Sequence, residues 1–192
     1  MYGIKMKELK IERVTAAKYW DGFKEECKEE FFDFLHCGFS VLYSDEEKEK
    51  LKTFKPIFNE EAYVYLLAKI GGSIVARSFS EQASRDTLFM CMSYVKKKYR
   101  KKGIYTKLLK KTLSIAKKTG YLKVISCHNT SNNKIIIPKL KAGFVISGMR
   151  VNAGYGSVVE LSYFFNMTES DMQDFRCGYR RPTDEIKEIL SL

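Results

Sequence analysis

The most constraining stretch of the sequence is residues 87–120, TLFMCMSYVKKKYRKKGIYTKLLKKTLSIAKKTG. It reads as an apolar strand, a basic turn with one glycine at position 103, and an amphipathic helix ending at Gly120. Ile104, Leu108, Leu109, Thr112, Leu113 and Ala116 share one face of that helix, and lysines fill the other. A further strand follows, YLKVISC at 121–127. A strand, crossover helix and strand in one sheet should run parallel, with a right-handed connection. The stretch also carries the charge of the chain. Residues 96–118 hold ten Lys, one Arg and no acid, a local charge of +11, and the whole chain is also +11 from 34 basic and 23 acidic residues. The remainder is therefore balanced. A basic excess at a strand-to-helix junction, where unbonded N–H groups and the positive end of the helix dipole point outward, suits a ligand with several phosphates.

The flanking sequence supplies the rest of a mixed α/β fold. Residues 5–14 alternate like a half-buried strand, with Met6, Leu9, Ile11 and Val14 inward. Thr15 caps a helix that runs to a stop at Gly38, its apolar face formed by Tyr19, Trp20, Phe23, Cys27, Phe31, Phe34 and Leu35. A short charged helix spans 45–52. Residues 62–70 and 73–79 form a hairpin around Gly71 and Gly72, and 87–95 completes an antiparallel meander that enters the parallel βαβ step. A polar loop at 128–133, a short helix over 133–141 containing Pro138, and a C-terminal hairpin of 145–151 and 157–165 close the fold. One short helix is expected from Thr183 onward. The length of 192 residues fits a single domain with its core at about 62–165 and a tail at 166–192.

Composition removes several classes. At 45% hydrophobic and 14% aromatic residues the chain is not disordered. Its five cysteines contain no C-x-x-C pair, so neither a disulfide framework nor a metal site is expected. The N-terminus has no apolar signal-like run and no stretch reaches a membrane-spanning length, which gives the expectation of a cytoplasmic protein with no membrane partner. Neither a P-loop pattern nor a three-glycine dinucleotide fingerprint occurs.

At 95–106, V-K-K-K-Y-R-K-K-G-I-Y-T, the sequence resembles the acetyl-CoA-binding motif of the GNAT superfamily of N-acetyltransferases. Val95, Tyr99, Arg100, Gly103 and Ile104 match in place. Lys101 stands where glycine is frequent, and Tyr105 stands where Gly or Ala is expected, setting a bulky side chain beside the presumed phosphates. Asn132 precedes Gly143 and Phe144 by the interval of the family's N-x-x-A-x-x-x-Y-x-x-x-G-F segment. The resemblance covers about 63–165. It implies that Arg100, Lys101, Lys102, Gly103, Ile104, Tyr105 and Thr106 hold the pyrophosphate of acetyl-CoA as acyl donor. It also implies that Val95 pairs its main chain with the pantetheine arm and that Asn132 contacts the cofactor, unless Asn132 only caps its helix. The tyrosine that in many members of the family protonates the leaving thiolate would align near Lys139, and no tyrosine lies between Tyr121 and Tyr155.

Acetyl transfer to an amine requires a proton acceptor, a donor to the oxyanion and a proton for the thiolate. The oxyanion donor is expected from a backbone N–H near Tyr94 or Val95. His128, Glu160 and Glu81 are the base candidates; Tyr155, Tyr163 and Cys127 are the acid candidates. The expected function is transfer of acetyl to a primary amine of a small molecule or peptide by direct attack on the thioester. The alternatives are a catalytically inactive CoA-binding or protein-binding domain of this fold and a basic nucleic-acid-binding module. Nucleic acid is the disfavoured partner because no aromatic platform accompanies the lysines. A homodimer through terminal strands is compatible with such a sheet.

Overall fold

The computed structural model describes residues 8–27, 43–53 and 62–192. Strands β1 (Lys10–Val14), β2 (Tyr63–Ile70), β3 (Ser73–Gln82), β4 (Thr87–Val95), β5 (Lys123–Asn129), β6 (Val145–Asn152) and β7 (Gly156–Phe164) form one sheet in the order β1-β2-β3-β4-β5-β7-β6. Every neighbouring pair is antiparallel except β4 with β5. The expected meander, parallel step and closing hairpin are all present. The strand ends differ by a few residues: β3 extends through Gln82, and β5 begins at Lys123 and takes in His128 and Asn129.

Between β1 and β2 lie α1 (Ala16–Trp20), α2 (Phe23–Cys27) and α3 (Asp45–Thr53). Thr15 caps α1 as expected, its side chain accepting from the Lys18 N–H. The single long helix does not form. Gly22, at φ +62°, breaks it into α1 and α2. The continuation toward Gly38, with Phe31, Phe34 and Leu35, lies outside the described residues, as does Met6. A capping box starts α3: Glu47 Oε2 accepts from the Ser44 N–H at 2.7 Å and Ser44 Oγ from the Glu47 N–H at 3.2 Å.

The helix α4 (Ile104–Thr119) follows β4, and α5 (Asn133–Lys141) follows β5. Ile104, Leu108, Leu109 and Ala116 of α4 pack with Val64, Leu66, Leu88, Val124 and Leu161 of the sheet, and Ile136 of α5 joins them. This is the main core. On the opposite face α1 and α2 cover an aromatic layer in which Tyr65 stacks on Phe79 at 5.0 Å and Tyr19 approaches Tyr65 at 5.1 Å. Arg77 of β3, fully buried, pins these helices. Its guanidinium donates to the Tyr19 and Asp21 carbonyls and to Glu26 Oε2 at 2.9 Å, and Lys96 reaches Glu26 Oε1 at 3.2 Å.

The tail carries one helix more than expected. Besides α7 (Asp184–Leu190), capped by Thr183, there is α6 (Met167–Arg176). The signals for α6 are in the sequence. Asn166 accepts from the Thr168 N–H at 2.9 Å, Glu169 lies in the first turn, and Gly178 follows the end at φ +72°.

Candidate active site

The site is built where β4 leaves β5. These strands pair in parallel only at Thr87 with Lys123, Leu88 with Val124 and Phe89 with Ile125. β4 then gains one residue against β3. Phe79 faces Met92 and Ser80 faces Met90, leaving Cys91 as the extra residue of a β-bulge. Leu88 and Met90 thus point into the main core, whereas Met92 and Tyr94 pack with Phe23 of α2. A bulge bends its strand and ends local pairing. Among the described residues, no strand pairs with the β5-facing edge of β4 from Met90 to Val95. Cys91 therefore marks the point where β4 leaves β5. Burial, with Glu81 beside it, pushes its thiol pKa up.

The open edge leads into the basic turn. A 3₁₀ turn (Lys97–Tyr99) precedes Lys101 and Gly103, both left-handed at φ +58° and +72°. The left-handed region costs a side-chain-bearing residue about 1–2 kcal/mol, which explains why glycine suits position 101. Gly103 is the N-cap of α4 and no side chain caps that end. The first amides of the helix therefore have no intrahelical partner. Left-handed turns and bare helix amides together make an anion-binding concavity.

The predicted ligand-binding residues fall around this turn with different orientations. Lys101, Lys102, Gly103 and Thr106 are exposed. Ile104 is a core residue, 1% exposed, and only its backbone faces the turn. Tyr105 does not crowd the turn as expected. Its ring packs against the core, and burial raises its phenol pKa. Arg100 folds back, Nε donating to the Val95 carbonyl at 2.8 Å, and so fixes the turn to the strand end. Lys102 donates to the Lys98 carbonyl at 3.1 Å. Asn132 begins α5, its carbonyl accepting from Ile135 and Ile136, but its side chain makes no capping bond. Capping does not account for the asparagine.

The three predicted catalytic residues are not brought to one point. Glu160 is engaged: Oε2 is 3.0 Å from the Arg150 guanidinium, and Oε1 accepts from Ser147 at 3.2 Å. Arg150 also donates to Cys127 Sγ at 2.7 Å. Tyr155 is 49% exposed in the β6–β7 turn, where its carbonyl accepts from Asn129. Tyr163 lies on Phe144 at 5.4 Å and on Phe165 at 5.2 Å, opposite Val124 at the closed end of β5. His128 is near the opening. Its Nε2 is buried and has no hydrogen-bond partner among the described residues, and burial, with Lys139 nearby, holds its pKa down to about 3. Glu81 continues the face of Arg77 and Phe79, alongside Cys91 and near Tyr65.

The residue that sequence reasoning noted only as a missing tyrosine is the most unusual of the set. Lys139 is 1% exposed. Its Nζ meets Met90 Sδ at 3.6 Å and lies 4.9 Å from the centre of the Phe144 ring. Burial lowers its pKa to about 7. The signal was available: Ile136 and Lys139, three apart, occupy the buried face of α5.

The sequence profile described as the Acetyltransferase (GNAT) family matches residues 22–144, well over half of the chain. The chain belongs to the GNAT family. Among curated proteins none matches this member significantly. Solved structures share its fold. Ard1 from Thermoplasma volcanium superposes with a TM-score of 0.58 at 18% identity, covering 82% of this chain and 97% of its own. The ribosomal-protein-S18-alanine N-acetyltransferase from Escherichia coli gives 0.60 at 15% identity, covering 83% and 95%. A GNAT family acetyltransferase from Elizabethkingia anophelis, solved with acetyl-CoA bound, gives 0.57 at 18%, covering 82% and 99%. Among the described residues no helix of this GNAT protein is long and apolar enough to cross a membrane, and no group of His, Cys, Asp and Glu is arranged to hold a metal.

Proposed function

We propose that the protein transfers an acetyl group from acetyl-CoA to a primary amine of a small molecule or peptide. The observation that carries this reading is the opening between β4 and β5 beyond Phe89 and Ile125, continuous with a left-handed turn and an uncapped helix N-terminus. A long ligand with phosphates at one end and an extended amide-bearing arm at the other matches such a surface. The bare amides of Gly103 to Thr106 receive the pyrophosphate, the exposed lysines of the turn screen its charge, and the open edge of β4 up to Val95 pairs with the arm. Asn132, whose side chain makes no capping bond at the start of α5, is the residue we assign to contact with the cofactor. Acetyl-CoA supplies an activated thioester; the chain supplies an N–H of β4 near Tyr94 or Val95 toward the oxyanion.

Glu81 is the carboxylate we assign to taking the proton of the incoming amine. It sits on the α1–α2 face, whereas Glu160 is engaged by Arg150 and His128 is too weak a base at a pKa of about 3. The nucleic-acid reading gains nothing from the structure, since the one aromatic of the turn, Tyr99, packs against the core between Lys98 and Lys102.

Thermal unfolding with acetyl-CoA, CoA and 3′-dephospho-CoA tests the reading. A ligand at a hundred times its dissociation constant adds about 2.7 kcal/mol of stability. A raised midpoint with acetyl-CoA, smaller without the 3′-phosphate, is the expected result, and an amine-acceptor screen reading free thiol then follows. An unmoved midpoint at millimolar acetyl-CoA would refute the reading.

A further inference from the structure

Lys139 is the strongest feature not used above. A fully buried ammonium normally has a carboxylate partner, because an unpaired charge in a low-dielectric interior is costly. Among the described residues none lies within ion-pair distance of Lys139 Nζ. The groups packed around it are Met90 of β4, Cys127 and His128 of β5, and Phe144 after α5. None is a fixed anion. The Cys127 sulfur accepts from Arg150, and His128 is neutral near pH 7. Met90 is the first residue past the last parallel pair, so the amine sits at the point where β4 and β5 part. An uncompensated buried cation at the head of an open cleft calls for a negative charge that arrives with the ligand.

We propose that Lys139 is the acid and counter-ion for the sulfur leaving group of the acyl donor at the β4–β5 opening. This rests on the acetyl-CoA reading of the site and adds a residue to it. As the carbon–sulfur bond breaks and its electron pair passes to sulfur, Lys139 supplies a proton. An N–H bond breaks with its electrons remaining on nitrogen, and an S–H bond forms. The neutral amine regains a proton from water before the next turnover. A group whose pKa lies near neutrality suits this cycle, since it gives and recovers a proton with little penalty either way.

The test is the ionisation of bound CoA, followed by thiolate ultraviolet absorbance against pH, with desulfo-CoA as the blank. An opposite charge within a few ångströms lowers a pKa by about 1–3 units. Bound to the wild-type protein, the CoA thiol should therefore ionise at least about tenfold more readily than free CoA. In Lys139→Met that gain should vanish while CoA still binds, and Lys139→Arg, which keeps the charge, should retain most of it. A bound thiol that titrates identically in wild type and Lys139→Met overturns the proposal. So does an acetyl group found by mass spectrometry on Lys139 after incubation with acetyl-CoA alone, since that makes the amine an acceptor instead of an acid. If wild type binds no CoA, the reading of the site fails and this inference fails with it. Should Lys139→Met not fold, Lys139→Gln carries the comparison.

Discussion

Replacing Arg77 with methionine should detach α1 and α2 from the sheet before the sheet itself unfolds. The guanidinium is fully buried and makes three charge-assisted contacts, to the Tyr19 and Asp21 carbonyls and to Glu26. Hydrogen bonds to charged groups contribute about 1.5–3 kcal/mol each, and breaking a buried ion pair from one side costs about 3–5 kcal/mol. Two features pull the loss to the lower end. Glu26 keeps Lys96 at 3.2 Å, and its side chain is 24% exposed and so reaches water. Methionine also avoids the desolvation of a cation. The expected destabilisation is about 3 kcal/mol, which at an m-value of about 2 kcal/mol/M moves the urea midpoint down by about 1.5 M. Trp20 is the only tryptophan and contacts Tyr19, Phe23, Tyr65 and Phe79, so its fluorescence reports the docking of α1 while far-ultraviolet circular dichroism reports the sheet. In the variant the fluorescence transition should come first. Coincident transitions with a midpoint shift below about 0.3 M would refute the view that Arg77 is the anchor.

Other outcomes follow from the same geometry. Lys139 has a folded pKa of about 7 against an ordinary value of 10.5, so the unfolded chain binds the extra proton between these values and stability should rise with pH across that window. In Lys139→Met that rise should disappear, and urea unfolding at pH 7 should show a more stable protein by no more than about 5 kcal/mol. His128, with a folded pKa of about 3 against 6.5, should cost stability as pH falls from 6.5 toward 3, and His128→Phe should flatten that limb of the unfolding profile. A Cβ at Gly103 would meet nothing within 4 Å, so Gly103→Ala should cost only the left-handed backbone, about 1–2 kcal/mol by denaturation, while weakening acetyl-CoA in calorimetry. Once an acceptor is found, Glu81→Gln should lower kcat by about 10²–10⁴-fold with acetyl-CoA affinity unchanged, and Glu160→Gln should change it far less.

Much of the architecture was legible because it depends on periodicity and on glycine. The α4 face, the stop at Gly120, the turn at Gly71 and Gly72 and the parallel step all follow from local pattern. The break at Gly22 was not, because the apolar spacing of Tyr19, Trp20 and Phe23 continues through it, and Tyr19 and Phe23 are buried on either side of the break. The helix α6 escaped because none of its residues is fully buried, which leaves capping chemistry without an apolar stripe as its only signature. At the site, the turn residues were readable from charge and glycine, whereas the side-chain partners were not. Nothing local tells that Glu160 meets Arg150 across a hairpin, or that Tyr105 turns inward. Lys139 was visible as a residue on an apolar face, but its significance depends on Met90, forty-nine positions earlier.

The extra residue at Cys91 makes substitution and deletion opposite experiments on β4. A small side chain in its place leaves the strand's two halves as they are, one addressing α4 and the other α2. Removing the position erases the bulge: Phe79 would still face Met92 and Ser80 still face Met90, now as consecutive pairs, so Met92 and Tyr94 would keep the α2 side and the Tyr94 hydroxyl its acceptor, the Glu26 carbonyl at 3.0 Å, while the strand straightens. Such a deletion also invites β4 to zip onto β5 and close the gap. For a designer diversifying this protein, the length of residues 88–94 is therefore a stricter constraint than their identity.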